Sequence, residues 1–299
     1  MFKKVFLISS LIAGSAINAA SGFYFLRTEK SPAVISTAQT FYLFRSSPEN
    51  SAFNPAAAGS NDLFAGKAAY TSLFEKADAT QITAHFGDGR HSYGTEISYL
   101  NIAGLEGRYK PSEDPMYEFD SKNLIFSLNY AYEISDGFTA GVSGKYLFEK
   151  IEFEESYGFA ASFGLFRICS VIEGLNLGLS LNNFGKMGRL EKERTDLPLD
   201  VLVGAGYTIK VSEDIAFRIA NSTRYLIIDK KTENFSGLEF SYLEKVFFRT
   251  GYRSHNEGSP FSFGLGFEIS DIIIDYSFTP FSDDAMDHSH SFSVGYSLK

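Results

Sequence analysis

The sequence predicts an all-β fold: a transmembrane antiparallel β-barrel of about 14 strands with an N-terminal hatch-like segment. Three observations predict it. Short segments alternate apolar with small or polar residues at a period of two. Their connections alternate between tight turns and longer polar links. A leader of the export type is followed by no further apolar run long enough for a helical span.

Residues 1–20 read as a signal peptide. Lys3 and Lys4 give a short positive start, Val5 to Ile17 an apolar stretch, and small residues close it, so cleavage is expected after Ala19 or Ala20. The alternative, an anchoring helix, needs roughly 20 apolar residues, more than this stretch supplies. The only cysteine is Cys169, so no internal disulfide and no lipid-anchoring cysteine after the leader are expected. The expected location is the cell outer membrane, with outer-membrane lipid around the barrel.

Residues 21–61 alternate poorly and include Phe23-Tyr24-Phe25-Leu26-Arg27 and Glu49 to Ala56. So long an irregular stretch inside a folded protein usually has a role. The reading offered is a hatch folding into the lumen; the alternative is a periplasmic tail.

Residues 62–299 carry the barrel pattern. His290, Phe292, Val294, Tyr296 and Leu298 alternate with Ser289, Ser291, Ser293, Gly295 and Ser297. The same rule holds for Leu175 to Leu181, Phe261 to Phe267, Leu124 to Tyr132 and Val201 to Ile209. Closure is required because lipid offers no hydrogen bonds to an unpaired sheet edge. Short turns are expected at 87–89, 136–137, 211–214, 244–245 and 270–271, and long links at 101–121, 184–198 and 254–260. The short set is assigned to the periplasm and the long set to the outside, which puts both chain ends in the periplasm.

Composition agrees. The chain has 30 Phe, 17 Tyr, 26 Gly and no Trp, a set suited to a pleated wall whose aromatic girdles are made by Tyr and Phe. Mean hydropathy of -0.08 fits apolar residues alternating with polar ones. A formal net charge of -9 without a basic stripe excludes a nucleic-acid partner.

With the apolar face turned outward, Arg218, Arg224, Glu239, Arg249, Arg253, Asp271 and Asp275 fall inside, where charge avoids a cost of about 2–4 kcal/mol each near the bilayer midplane. They would make either a polar path for a substrate or a salt-bridged filling, and the filling is the reading adopted, since unpaired buried charge is costly. His288 and His290 share a strand face near Asp283, Asp284 and Asp287, a conceivable metal site, but an acidic solvated loop accounts for the same residues. No nucleophile elbow, zinc signature or phosphate loop is present, so neither enzyme activity nor a cofactor is expected. The pairs Gly204/Gly206 and Gly264/Gly266 lie within strands and are read as packing glycines of the lumen face.

Phe25-Leu26-Arg27, Asn54-Pro55-Ala56, Tyr157 to Ala161, Leu181 to Gly185, Leu197-Pro198-Leu199, Gly251-Tyr252-Arg253 and Asp275-Tyr276, in this order along nearly the whole mature chain, resemble the PorV/PorQ family of FadL-like outer-membrane barrels. That resemblance implies a 14-stranded barrel in which Asn54, Pro55 and Ala56 plug or gate the lumen. It also implies an accessory role in protein export or surface attachment of the type IX secretion kind, with envelope secretion proteins as partners. The alternative is a FadL-like passive channel for a hydrophobic small molecule. The chain departs from the family pattern at Thr37 to Thr40, where glycines are expected, and at Asp283 to Ser289.

Overall fold

The computed structural model describes residues 22–44, 47–58, 63–74, 76–107, 116–190, 193–194, 196–254, 256, 258–282 and 287–298. The expected signal peptide lies outside them. Fourteen strands follow one another around a closed wall: β1 (Phe64–Phe74), β2 (Ala77–Gly87), β3 (His91–Gly107), β4 (Tyr117–Ser135), β5 (Phe138–Ile151), β6 (Glu154–Ile168), β7 (Leu175–Met187), β8 (Asp200–Lys210), β9 (Ile215–Leu226), β10 (Lys231–Tyr242), β11 (Val246–Arg253), β12 (Phe261–Ile269), β13 (Ile272–Thr279) and β14 (Ser289–Leu298). Every neighbour is antiparallel, and β14 returns to β1 with Phe64 opposite Leu298 and Ser72 opposite His290. Closure thereby satisfies the backbone groups that an open edge would leave facing hydrocarbon.

The alternation seen in the sequence becomes the two faces of this wall. On β14, Phe292, Val294, Tyr296 and Leu298 lie on the outer surface while Ser289, Ser291, Ser293 and Ser297 are buried. Leu177 and Leu179 on β7, and Phe261, Phe263, Leu265 and Phe267 on β12, are outward in the same way. Tyrosines and phenylalanines pair across strands on this outer face, as in Tyr93 with Tyr130 and Tyr252 with Phe261.

One end of the barrel, the turn side, closes at 88–90, 136–137, 169–174, 211–214, 243–245 and 270–271, and both Phe64 and Leu298 lie there. The other, the loop side, carries the long links. Two of these are shorter than expected. Strands β3 and β4 run on to Gly107 and Tyr117, so most of the expected link at 101–121 is strand, and β7 continues to Met187, followed by a two-residue ladder of Arg189–Leu190 with Glu193–Arg194. The reason is visible on β4, where the outward side chains become Asp120 and Lys122, an exposed ion pair at 3.6 Å. A strand that has left the hydrocarbon needs no apolar face and reads as loop. The loop side also has tight connections at 152–153 and 227–230, so connection lengths alternate less strictly than the sequence suggested.

A bulge between Ala161 and Phe163 sets two residues of β7 against one of β6. Asn183 adopts φ 63°, and it and Asn182 are both buried inward, against Asp200.

Candidate functional site: the filled lumen

Residues 22–44 and 47–58 lie inside the barrel as a string of short turns: Tyr24–Leu26, the helix α1 (Pro32–Ser36), Phe41–Leu43, Pro48–Ala52 and Pro55–Ala58. Prolines at the first position start α1 and the turn at Pro48, since a proline lacks the N–H that a helix start leaves unused. Hydroxyls then compete for carbonyls: Ser36 Oγ donates to Pro32 O and Thr37 Oγ1 to Ala33 O, both at 2.7 Å, and α1 ends. Immediately after it, Ala38 and Gln39 take φ 47° and 63°. These left-handed positions fall within Thr37 to Thr40, the stretch in which the family resemblance leads one to expect glycine.

The inner half of this segment, residues 36–58, is moulded to the wall. Phe41, Tyr42, Leu43, Phe44, Phe53, Ala56 and Ala57 form one apolar cluster with Phe166, Leu202 and Ala220 of the barrel. Wall glycines make room for it. A Cβ at Gly141 would collide with Pro55 and Ala56, at Gly164 with Asn54, at Gly178 and Gly204 with Tyr42, at Gly237 with Thr37 and Thr40, and at Gly251 with Ala38. Backbone carbonyls of the segment are held by wall side chains: Asn176 Nδ2 donates to Leu43 O at 2.9 Å, Ser180 Oγ to Phe53 O at 2.7 Å and Asn129 Nδ2 to Pro55 O at 3.2 Å. Asn54 accepts the Ala56 N–H at 3.0 Å and donates to Leu165 O at 3.1 Å. The three expected gating residues thus pack directly against the wall at Gly141 and Gly164. Burial pushes the Tyr42 phenol up to about 12, against its hydrogen bond to Ser222 and the nearby Arg224.

The expected lumen charges separate into two groups. Arg218, Glu239, Arg249 and Asp275 join a ladder whose side chains come from five strands. Arg218 bridges Glu244 at 2.5 Å and Glu239 at 2.8 Å, Arg249 bridges Glu239 and Asp275 at 2.6 Å each, and Lys67 links Asp275 at 3.0 Å to Glu49 of the segment at 2.6 Å. Gly266 leaves the space in which Arg249 reaches Asp275. Arg224 and Arg253 lie at the loop-side mouth instead. Arg224 faces Asp200 at 3.5 Å and Glu233 at 3.8 Å and donates to Gln39. Arg253 binds Glu29 and donates to Ile35 O at 2.7 Å. Asp271 does not enter the lumen: it lies exposed in the turn between β12 and β13, one residue before the strand whose alternation placed it inside.

Lys67, Glu49, Lys30, Glu96, Asp200 and Glu233 complete these networks and were missed from the sequence. Lys67 was within reach, because it occupies the inward register of β1 with Ala65, Ala69 and Thr71. Glu49 was not, because an irregular segment offers no period from which to assign a face. Lys30 faces Glu96 at 3.8 Å, and burial lowers its pKa while Glu96 pulls the other way.

The first residues of the segment behave differently. Phe23, Phe25 and Leu26 enter a second apolar cluster with Leu100, Ile102, Ile125, Leu147, Met187 and Leu197. Beside them, open toward the loop side, lies a cavity of about 190 Å³ bordered by Tyr24, Arg27, Thr28 and Glu29 and by Leu73, Phe74, Phe235 and Phe281. His288 and His290 lie outside the lumen, against Phe278 and, for His290, hydrogen-bonded to Tyr276 at 2.8 Å. Asp283 and Asp284 fall outside the described residues, and among the described residues no three His, Cys, Asp or Glu gather as a metal set.

A closed wall with an apolar exterior and its own N-terminal segment folded into the lumen defines the class: an outer-membrane β-barrel. The fold is FadL-like. The CymD monoaromatic hydrocarbon channel superposes with a TM-score of 0.63 at 11% identity over 90% of this chain and 97% of that one. The Pseudomonas putida toluene transporter TodX gives 0.58 at 11% identity over 90% and 98%, and a Pseudomonas aeruginosa FadL homologue 0.52 at 11% identity over 91% and 99%. No family model and no curated sequence matches the chain.

Proposed function

We propose that the protein is a passive outer-membrane channel for hydrophobic small molecules, with residues 22–58 as its hatch. The supporting observation is the loop-side cavity of about 190 Å³, where Leu73, Phe74, Phe235 and Phe281 offer apolar surface beside the charged rim of Arg27, Glu29, Arg224, Glu233 and Arg253. In size it is sufficient for one aromatic ring, since a cavity of about 150 Å³ holds benzene. Moving apolar solute surface out of water, at about 25 cal/mol per Å², would drive occupancy without an energy source. The proteins of similar fold include a monoaromatic hydrocarbon channel and a toluene transporter, which points to the same solute class. The test is passage of labelled toluene into asymmetric vesicles with lipopolysaccharide in the outer leaflet. Barrel-containing vesicles should fill faster than empty ones while glucose stays excluded, and equal toluene rates would refute the channel.

A second reading, an accessory of protein export or surface attachment of the PorV/PorQ kind, rests on the order of the sequence motifs. It is favoured by one feature of the loop side, where Phe153 stands exposed in the turn between β5 and β6, beyond the strands whose outward phenylalanines face lipid. Pull-down from detergent extracts should then recover envelope secretion proteins, and repeated recovery of the barrel alone would count against it.

A further inference from the structure

The buried cations of the lumen are paired with carboxylates, with one exception among the described residues. Lys30, Lys67, Arg218, Arg224, Arg249 and Arg253 each face a carboxylate within 3.8 Å. Lys145 on β5 is buried as they are, and its ammonium has a neutral partner instead, Asn183 Oδ1 at 2.9 Å. Glu96 on β3 is already engaged by Lys30 at 3.8 Å, Gln81 at 2.9 Å and Ser98 at 2.6 Å. Beside Lys145 stand two further groups without partners. Ser127 lies directly opposite it on β4, and Ser143 is the neighbouring inward residue on β5; both are buried, and the Oγ of each meets no hydrogen-bonding group of the protein. The residue opposite on β6 is only Ala160.

A buried ammonium without counter-charge and buried hydroxyls without partners are costly, and native interiors satisfy them. An ammonium only donates and a hydroxyl can donate, so the three together select an acceptor that carries negative charge. Along β5 the position is covered on both sides. Toward the loop side Leu147 packs with Phe23, Phe25 and Leu26, and toward the turn side Gly141 lies against Pro55 and Ala56. That packing shuts out a solute built on a ring but leaves the position open to a single ion.

We propose that Lys145, with Ser127 and Ser143, holds a resident monovalent inorganic anion of halide size between the wall and the hatch. The ion accepts from the ammonium and both hydroxyls. It also balances the surrounding charge, where Arg27, Lys30, Lys145 and Arg224 stand against Glu96, Asp200 and Glu233. The site is independent of the channel reading, which toluene passage tests separately.

The experiment follows urea unfolding of the full chain, refolded in detergent, in bromide at an ionic strength held constant with gluconate. Raising bromide from about 10 to about 100 mM should lower the unfolding constant about tenfold, as one ion bound in the millimolar range requires. Lys145→Met should abolish this dependence while heat-modifiable gel migration shows a closed barrel. Should that variant not close, Ser127→Ala/Ser143→Ala keeps the lysine and should weaken the dependence. Crystals grown in bromide should show its anomalous signal beside Lys145 Nζ. A bromide dependence that is absent, or that persists in the variants, overturns the site. A signal beside Lys145 without any dependence in solution marks an adventitious ion only and overturns it too. Benzoate protecting where bromide does not would assign the charge to a solute's carboxylate and overturn the resident ion.

Discussion

The two ends of the hatch lie in one lumen and are held there by different physics. Residues 36–58 are held by shape: wall glycines at 141, 164, 178, 204, 237 and 251 leave hollows that the segment fills, and wall amides and hydroxyls take its carbonyls. Residues 22–31 are held by charge along one face and by three apolar side chains along the other. Close fit transmits strain and resists displacement, whereas an ion pair with partial access to water is cheap to break and sensitive to salt. One lumen is therefore filled by a stretch held through shape and another held through charge.

The largest expected effect is at the ladder that ties the inner part to the wall. Asp275→Ala leaves Lys67 and Arg249 without their shared buried carboxylate and should cost about 3–5 kcal/mol in urea unfolding of the refolded barrel. A cost near zero would show that Glu49 and Glu239 suffice. Next is Gly164→Leu, whose side chain would occupy the space of Asn54 and Pro55. It should cost about 1–3 kcal/mol and open residues 41–53 to chymotrypsin while the gel migration of a closed barrel persists. Protection equal to that of the unmodified chain would mean that the hollow is not a seat. The smallest effect is Glu233→Gln, about 1 kcal/mol because the pair is partly open to solvent. It should speed trypsin cleavage at Arg27 and Lys30 without affecting chymotrypsin at Tyr42. Raising salt to 1 M, which shortens screening to about 3 Å, should act in the same direction. Reversed sensitivities in the last two tests would erase the distinction between the parts.

The outer face was legible because its environment is uniform. Hydrocarbon selects one kind of side chain at every second position, so Leu175 to Leu181 and Phe292 to Leu298 declare their face without knowledge of any partner. The lumen-facing register of Arg218, Arg224, Glu239, Arg249, Arg253 and Asp275 follows from the same alternation. Their division between ladder and mouth does not, because it depends on which strands are neighbours across the lumen. Asp271 shows where the rule stops: alternation carried past the end of β13 assigns a turn residue to a face it does not have. The links at 101–121 and 184–198 show the opposite error, since a strand in water loses the apolar half of its pattern.

The sequence by itself determined a closed antiparallel wall of about 14 strands and its two faces, because a period of two and the demand for paired backbone in lipid act locally along each strand. Only the tertiary structure decided how the lumen is filled. The positions of Glu49 beside Lys67, of Tyr42 in the hollow at Gly178, and of Phe23 and Phe25 in the chamber at Leu147 are set by contacts between residues far apart in the chain, and an irregular segment has no period from which to foresee them.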